Sequence, residues 1–375
     1  MFKTVLFDVD GVMLSEERYF DASALTVHEL LTSDRFLGVQ TVSPPFTPAP
    51  DDDTIRAIRR DVFRRDEVLE GLKNIGVNAN WDMVYFVFVA ELVRALEVAN
   101  SRSSDVVAQA QAVLDAGWTE ASLRALGEIV RSVVPEYVVQ WDGYGALYEG
   151  ASSRSELMER ARTALARYAP NADAHALWQV GQETFQEWYL GDAYTGKATG
   201  KAGFLTSEYP IVDPAAFAAL LADLKAAGVT LGIATGRPEI ETRVPLTHFG
   251  WLSFFDPARV TNASDVVAAE EQAPHARPLS KPHPFSYLRS LRGERDVAKL
   301  LQVELPIPGL RGEVLIVGDS IADKLAADRL GASFAAVLTG LEGQAARPKF
   351  ERLGAEYILN DVLELRRVLA LTPVD

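Results

Sequence analysis

A short strand candidate near the start of the chain stands about 200 residues from anything it can pair with, and this separation constrains the fold more than any other feature. Thr4 to Val9 is an apolar, branched run ending in Asp8-Val9-Asp10-Gly11. It reads as a buried strand whose carboxyl end opens onto a loop. Its companions come only after Pro214: Val229 to Ala234, Glu313 to Val317, Phe334 to Leu338 and Tyr357 to Leu359. Helical segments alternate with them, Ala215 to Ala227, Glu239 to Thr247, Ile321 to Leu330 and Asp361 to Leu371, with Gly228, Gly250 and Gly331 as stops. This alternation predicts an α/β fold with a largely parallel sheet covered on both faces. A parallel crossover needs only a dozen or so residues, so the intervening block is an inserted domain.

The insert has helical periodicity in Met83 to Ala99, Glu120 to Val133 and Ser155 to Tyr168, broken by the proline-rich Ser43 to Pro50, by Asn100 to Ser104 and by Tyr168 to Asn171. Asp53 or a neighbour caps a helix beginning near Thr54. The expected domains are a core of residues 1–14 and 213–375 and a mostly α-helical cap of residues 15–212. Ser15 to Glu17 and Tyr209-Pro210 are the expected hinges of a lid. Trp81, Tyr85, Phe86 and Phe88 are expected in the core of the helical domain. Arg56, Arg59, Arg60, Arg64 and Arg65, interspersed with Asp61 and Asp66, read as a solvated helix.

Bulk charge narrows the partners. Lys and Arg total 37 against 52 Asp and Glu, a formal charge of -15, which repels nucleic acid and anionic lipid. An anionic substrate therefore needs a locally positive pocket. There is no cysteine, so thiol nucleophiles and cysteine-ligated metals are excluded. The N-terminal residues lack a signal-peptide pattern, and the apolar run Met83 to Val93 falls short of the roughly 18 residues that span a bilayer. No membrane association and a cytoplasmic location are the expectations.

Four short signatures carry chemistry. Asp8 and Asp10 lie two apart at a strand end, where the period of two sends both to one side. Like charges so close call for a proton or a hard cation bound by oxygen, although the pattern alone also fits a structural loop. Thr235-Gly236 ends the strand from Val229 and offers a hydroxyl and backbone N–H groups to phosphate oxygens, or else a helix cap with a glycine turn. Lys281 stands before Pro282, a rigidly held cation suited to a phosphoryl group, though surface lysines also occur there. Asp319 and Asp323 follow the strand from Glu313 and are four apart; Asp323 alternatively serves the helix dipole. All four follow strands or loops at one predicted sheet edge.

Together, DVDGV at Asp8 to Val12, ATGR at Ala234 to Arg237, SKPHP at Ser280 to Pro284 and GDSIAD at Gly318 to Asp323 resemble the haloacid-dehalogenase-like (HAD) hydrolase superfamily, in its phosphatase branch. The resemblance implies a Rossmann-like core, a cap inserted after the first motif, and Mg²⁺-dependent hydrolysis of a small phosphorylated metabolite through an aspartyl-phosphate. It implies Asp8 as nucleophile, Asp10 as general acid/base, Thr235, Gly236 and Lys281 as phosphate binders, Asp8, Asp10 and Asp319 at the metal, and Asp323 in support. Asp10 sets the chain apart from the dehalogenating branch. A phosphomutase of the β-phosphoglucomutase type shares the four motifs, and a non-catalytic regulatory protein is the alternative of a different class. The insert is longer than the small caps common in the superfamily and matches no specificity motif.

Other signals point less far. Gly191 to Ala198 nearly spells a nucleotide P-loop, but Ala198 replaces the required Ser or Thr and a helix precedes it. Lys197 and Lys201 are candidate substrate contacts or simply a basic loop. His283, flanked by prolines, is given no acid/base role.

Overall fold

The computed structural model describes residues 2–75, 77 and 79–370. Its strands in chain order are β1 (Thr4–Phe7), β2 (Gln40–Thr41), β3 (Val138–Val139), β4 (Thr230–Ala234), β5 (Val260–Thr261), β6 (Val314–Gly318), β7 (Ser333–Val337) and β8 (Tyr357–Leu359). The chain divides into two compact units, one of Met1–Glu17 with Leu205–Asp375, the other of Arg18–Phe204.

The first unit is the Rossmann-like α/β core. Its sheet runs β5-β4-β1-β6-β7-β8, with every neighbouring pair parallel. β1 pairs with β4 on one side and β6 on the other, so Phe7 lies beside both Ile233 and Val317. The strands consequently end level, and residues far apart in sequence emerge at one edge. Val5 and Phe7 pack with Phe217, Leu224 and Trp251 on one face, while Leu6 packs with Ile316, Phe285 and Leu330 on the other. Burying a side chain such as Phe7 contributes about 1.5–3 kcal/mol.

Local chemistry sets the flanking helices. Asp213 accepts the Ala216 N–H at 2.8 Å and Pro214 opens the helix Pro214–Ala226. Ser320 and Asp323 form a reciprocal capping box that starts Ile321–Leu330, and Gly331, at φ +87°, ends it. The expected terminal helix Asp361 to Leu371 is instead a 3₁₀ turn, Val362–Glu364, followed by the short helix Leu365–Val368. Asp361 caps that turn, and Leu371 lies outside the described residues. The two-residue β5 has too little periodicity to be read from sequence.

The expected hinge segments are tied together within this unit. Ser15 N–H donates to Tyr209 O at 2.8 Å and Ile211 N–H to Met13 O at 2.9 Å. The pairing draws both segments into the α/β unit, so the helical unit begins at Arg18 and ends at Phe204.

The second unit is the helical cap. Its central helix, Asn80–Arg102, packs against Gly143–Tyr148, Arg154–Ala166 and Ala174–Leu190. Tyr85, Phe86 and Phe88 are buried, as core residues should be, and Trp81 meets Trp178 edge to face at 5.8 Å. Asp51, two residues before the expected capping position, caps Asp52–Val62. No helix among the described residues is long and apolar enough to cross a membrane.

Candidate functional site

The level strand ends bring four sequence signatures together. Asp8 leaves β1 with its backbone N–H donating to Val317 O at 2.9 Å, which anchors it beside the end of β6. Lys281 Nζ lies 2.9 Å from Asp8 Oδ2 and 2.8 Å from Asp323 Oδ1, so one buried ammonium bridges two carboxylates. Asp323 also accepts from Tyr287 Oη at 2.8 Å and Ser320 Oγ at 2.7 Å. Thr235, 2% exposed, directly follows β4; its Oγ1 accepts the Arg237 N–H at 3.1 Å, and the following Gly236 is exposed.

Asp319 sits in a cradle of backbone. A methyl group on Gly11 or on Gly340 would overlap its Oδ2, and Gly11 has φ +67°. Glycine at position 11 thus serves both the turn and the close approach. Thr339 Oγ1 donates to Gly11 O at 2.5 Å and closes the loop over the carboxylate.

Ligand oxygens of Asp8, Asp319 and Asp323 all lie within 4.8 Å of one another. Burial pushes the Asp8 carboxyl up to about 7, with Lys281 opposing and Asp323 and Asp10 adding to the rise. Burial first, then Asp323 and Asp8, raises Asp319 well above the carboxylate range. Asp323 is lowered despite its burial, because Lys281, Ser320 and Tyr287 stabilise the charged form. Burial alone would lower Lys281, but Asp323 and Asp8 raise it. Three carboxylates against one ammonium leave negative charge uncompensated, and Asp319 receives no hydrogen bond among the described residues. A hard divalent cation with oxygen ligands fits that donor set.

Asp10 has a different setting from the one expected of a metal ligand. Arg237 donates from Nε to Asp10 Oδ1 at 2.8 Å and holds it from Nη2 at 2.7 Å, while Nη1 donates to Glu208 Oε1 at 2.7 Å. The guanidinium holds the Asp10 carboxylate, and the carboxylates that cluster are those of Asp8, Asp319 and Asp323. Arg237 was visible in ATGR without a role, because its partner lies 227 positions away. Tyr287, Glu208 and Gly340 carried no sequence signal.

Lys201 is buried in an ion-pair network and Lys197 reaches the same network from an exposed position. Lys201, 2% exposed, is held by Glu29 at 2.6 Å and Glu187 at 2.7 Å, and Lys197 lies 2.8 Å from Glu187. Two buried carboxylates recruit them into the cap's own ion-pair network. In the P-loop-like segment, Asp192 accepts from the N–H groups of Thr199 and Gly200 at 3.0 and 2.8 Å, so the turn closes on its own side chain. His283 Nδ1 accepts the Phe285 N–H at 3.2 Å, a local capping role.

The family model described as HAD-hydrolase-like matches residues 278–365. A crystal structure solved as a Northeast Structural Genomics Consortium target is 37% identical, covers 98% of this chain and 98% of its own, and has a TM-score of 0.85. The chain belongs to the HAD-like hydrolase superfamily. A HAD family hydrolase from Deinococcus radiodurans R1, solved with phosphate and sodium, is 15% identical over 100% of this chain and 99% of its own, at a TM-score of 0.40. A haloacid-dehalogenase-like protein of unknown function from Agrobacterium tumefaciens str. C58 is 12% identical over 99% and 98%, also at 0.40. No curated protein matches the chain. HAD-like membership and the buried aspartate cluster together support enzymatic activity of the hydrolase, phosphatase-type class.

Proposed function

We propose that this HAD-like protein hydrolyses a small phosphorylated metabolite, with Asp8 as nucleophile and Mg²⁺ as cofactor. The observation that carries the reading is the single ammonium of Lys281 bridging Asp8 and Asp323 beside Asp319. Asp8 and Asp319 would hold the ion, with Asp323 orienting Lys281. When bound, Mg²⁺ supplies positive charge that offsets repulsion between a carboxylate and a phosphate dianion.

The chain's own residues perform the remaining work. An Asp8 oxygen attacks phosphorus and the bond from phosphorus to the leaving oxygen breaks, while Lys281, Thr235 and the Gly236 backbone stabilise the transferring oxygens. Asp10 gives a proton to the leaving oxygen, then accepts one from the water that cleaves the aspartyl-phosphate. Its pairing with Arg237 suits the second step, where a carboxylate takes up the proton. The helical unit is assigned substrate selection.

A Mg²⁺-supplemented screen of sugar phosphates, phosphoglycolate, nucleotides and pyrophosphate tests the activity. On the substrate found, Asp8→Asn is expected to reduce turnover by orders of magnitude at unchanged circular dichroism; turnover near the parent's excludes the nucleophile role. Recovery of phosphate on a second hydroxyl of the substrate would replace hydrolysis with mutase chemistry.

A further inference from the structure

A second cleft in the α/β unit lies away from the carboxylate cluster, on the outer side of edge strand β5. It encloses about 520 Å³, within the roughly 300–1,000 Å³ of small-molecule sites. Leu252, Phe255 and Val260 line an apolar wall, and Arg243, Arg289 and Arg295 line the polar side. Three guanidinium groups face two lining carboxylates, Glu239 and Asp265, a local positive surplus in a chain of net charge -15.

The three arginines are not equivalent. Arg289 is built in: it lies 2.8 Å from Asp265 and donates to Val260 O at 3.2 Å and Thr261 Oγ1 at 3.1 Å. Asp265 is also committed, since its other oxygen accepts the Asn262 N–H at 3.0 Å. Arg243 and Arg295 are exposed and have no carboxylate partner among the described residues. Burial lowers Arg289, Asp265 opposes that, and the charge of Arg295 lowers it further. With Asp265 taken by Arg289, the two exposed guanidinium groups outnumber Glu239, the remaining lining carboxylate, beside the apolar wall.

We propose that this cleft binds an organic carboxylate with a planar apolar body, the ring on Leu252, Phe255 and Val260 and the carboxylate between Arg243 and Arg295. A guanidinium fork matches the two oxygens of a carboxylate, and the wall supplies the hydrophobic contribution. The site is independent of the phosphatase reading. Its walls also reach the segment after β4: Thr242 Oγ1 donates to Pro238 O at 2.9 Å, and Ala263 N–H, next to lining residue Asn262, donates to Arg237 O at 2.8 Å.

The test is calorimetric titration of the full chain with 2-naphthoate, 2-naphthol and acetate. Saturable 1:1 binding of 2-naphthoate is expected, at least about tenfold tighter than 2-naphthol, which lacks the charge, and acetate, which lacks the ring. The double variant Arg243→Gln/Arg295→Gln should bind 2-naphthoate at least about tenfold more weakly, at unchanged melting temperature and unchanged turnover. Absence of binding to the parent, equal binding of the three probes, or undiminished binding by the double variant would each overturn the proposal.

Discussion

Replacing Glu91 with Gln should stabilise the helical cap at alkaline pH and leave it unchanged in acid. Glu91 lies on the central helix Asn80–Arg102 and is 1% exposed. Its Oε1 accepts the Gly143 N–H at 2.9 Å, while Oε2 has no hydrogen-bond partner among the described residues. Burial above all, with some help from Asp142, raises its pKa from 4.5 to about 7. Below pH 4.5 the folded and unfolded chains both hold the proton and the group is neutral in its effect. Between about 4.5 and 7 the unfolded chain releases the proton and the folded one keeps it, so stability falls as pH rises. At about 1.36 kcal/mol per unit, the loss above pH 7 approaches about 3 kcal/mol. Glutamine mimics the protonated acid in shape and neutrality; its amide leaves two N–H donors unpaired where the protonated acid leaves one O–H, so most of that cost offsets at low pH. Five of the six tryptophans, Trp81, Trp118, Trp141, Trp178 and Trp188, lie in Arg18–Phe204. Urea unfolding followed by tryptophan fluorescence therefore reports this unit. The variant should exceed the parent by about 3 kcal/mol near pH 8.5 and by under about 0.5 kcal/mol near pH 4. Equal stabilities at pH 8.5 would refute the reasoning.

Asp319→Asn should abolish stabilisation by Mg²⁺, which in the parent reaches about 2.7 kcal/mol at a hundredfold excess over Kd. Because its folded-state pKa is raised, the same change should raise metal-free stability at neutral pH; thermal melting with and without Mg²⁺ reads both effects, and a preserved Mg²⁺ response excludes Asp319 as a ligand. Arg237→Met leaves Asp10 and Glu208 without their shared buried cation and should cost about 3–5 kcal/mol in urea unfolding. Arg237→Lys keeps the charge without the fork, so kcat should fall more than KM rises; a pure KM effect would remove Arg237 as the residue positioning Asp10. Gly11→Ala meets both a positive φ and the Asp319 carboxylate; a loss of about 1–3 kcal/mol with a weakened Mg²⁺ response is expected, and a variant that melts and binds Mg²⁺ like the parent would show the cradle to be slack.

The order of elements, the three strand-end motifs and the Lys281 loop were legible because their causes are local. Alternating apolar runs, glycine stops and an acidic strand terminus signal themselves within a few residues, and the wide gap after β1 announces an insertion. β5 and the terminal 3₁₀ turn were not legible. Each is too short to carry a period, and each is held by neighbours, Arg289 on the β5 carbonyl and the Asp361 cap on the turn.

From the sequence alone came the conclusion that Asp8, Thr235, Lys281 and Asp319 belong to one edge of a parallel sheet, because strand direction and the loops that follow are encoded locally. Which charges meet was decided by the tertiary structure. Arg237 takes Asp10, Lys281 joins Asp8 to Asp323, and Glu29 with Glu187 takes Lys201 into the cap. A buried charge is governed by the nearest counter-charge and by the water it loses, and both depend on residues that only the folded chain brings within reach.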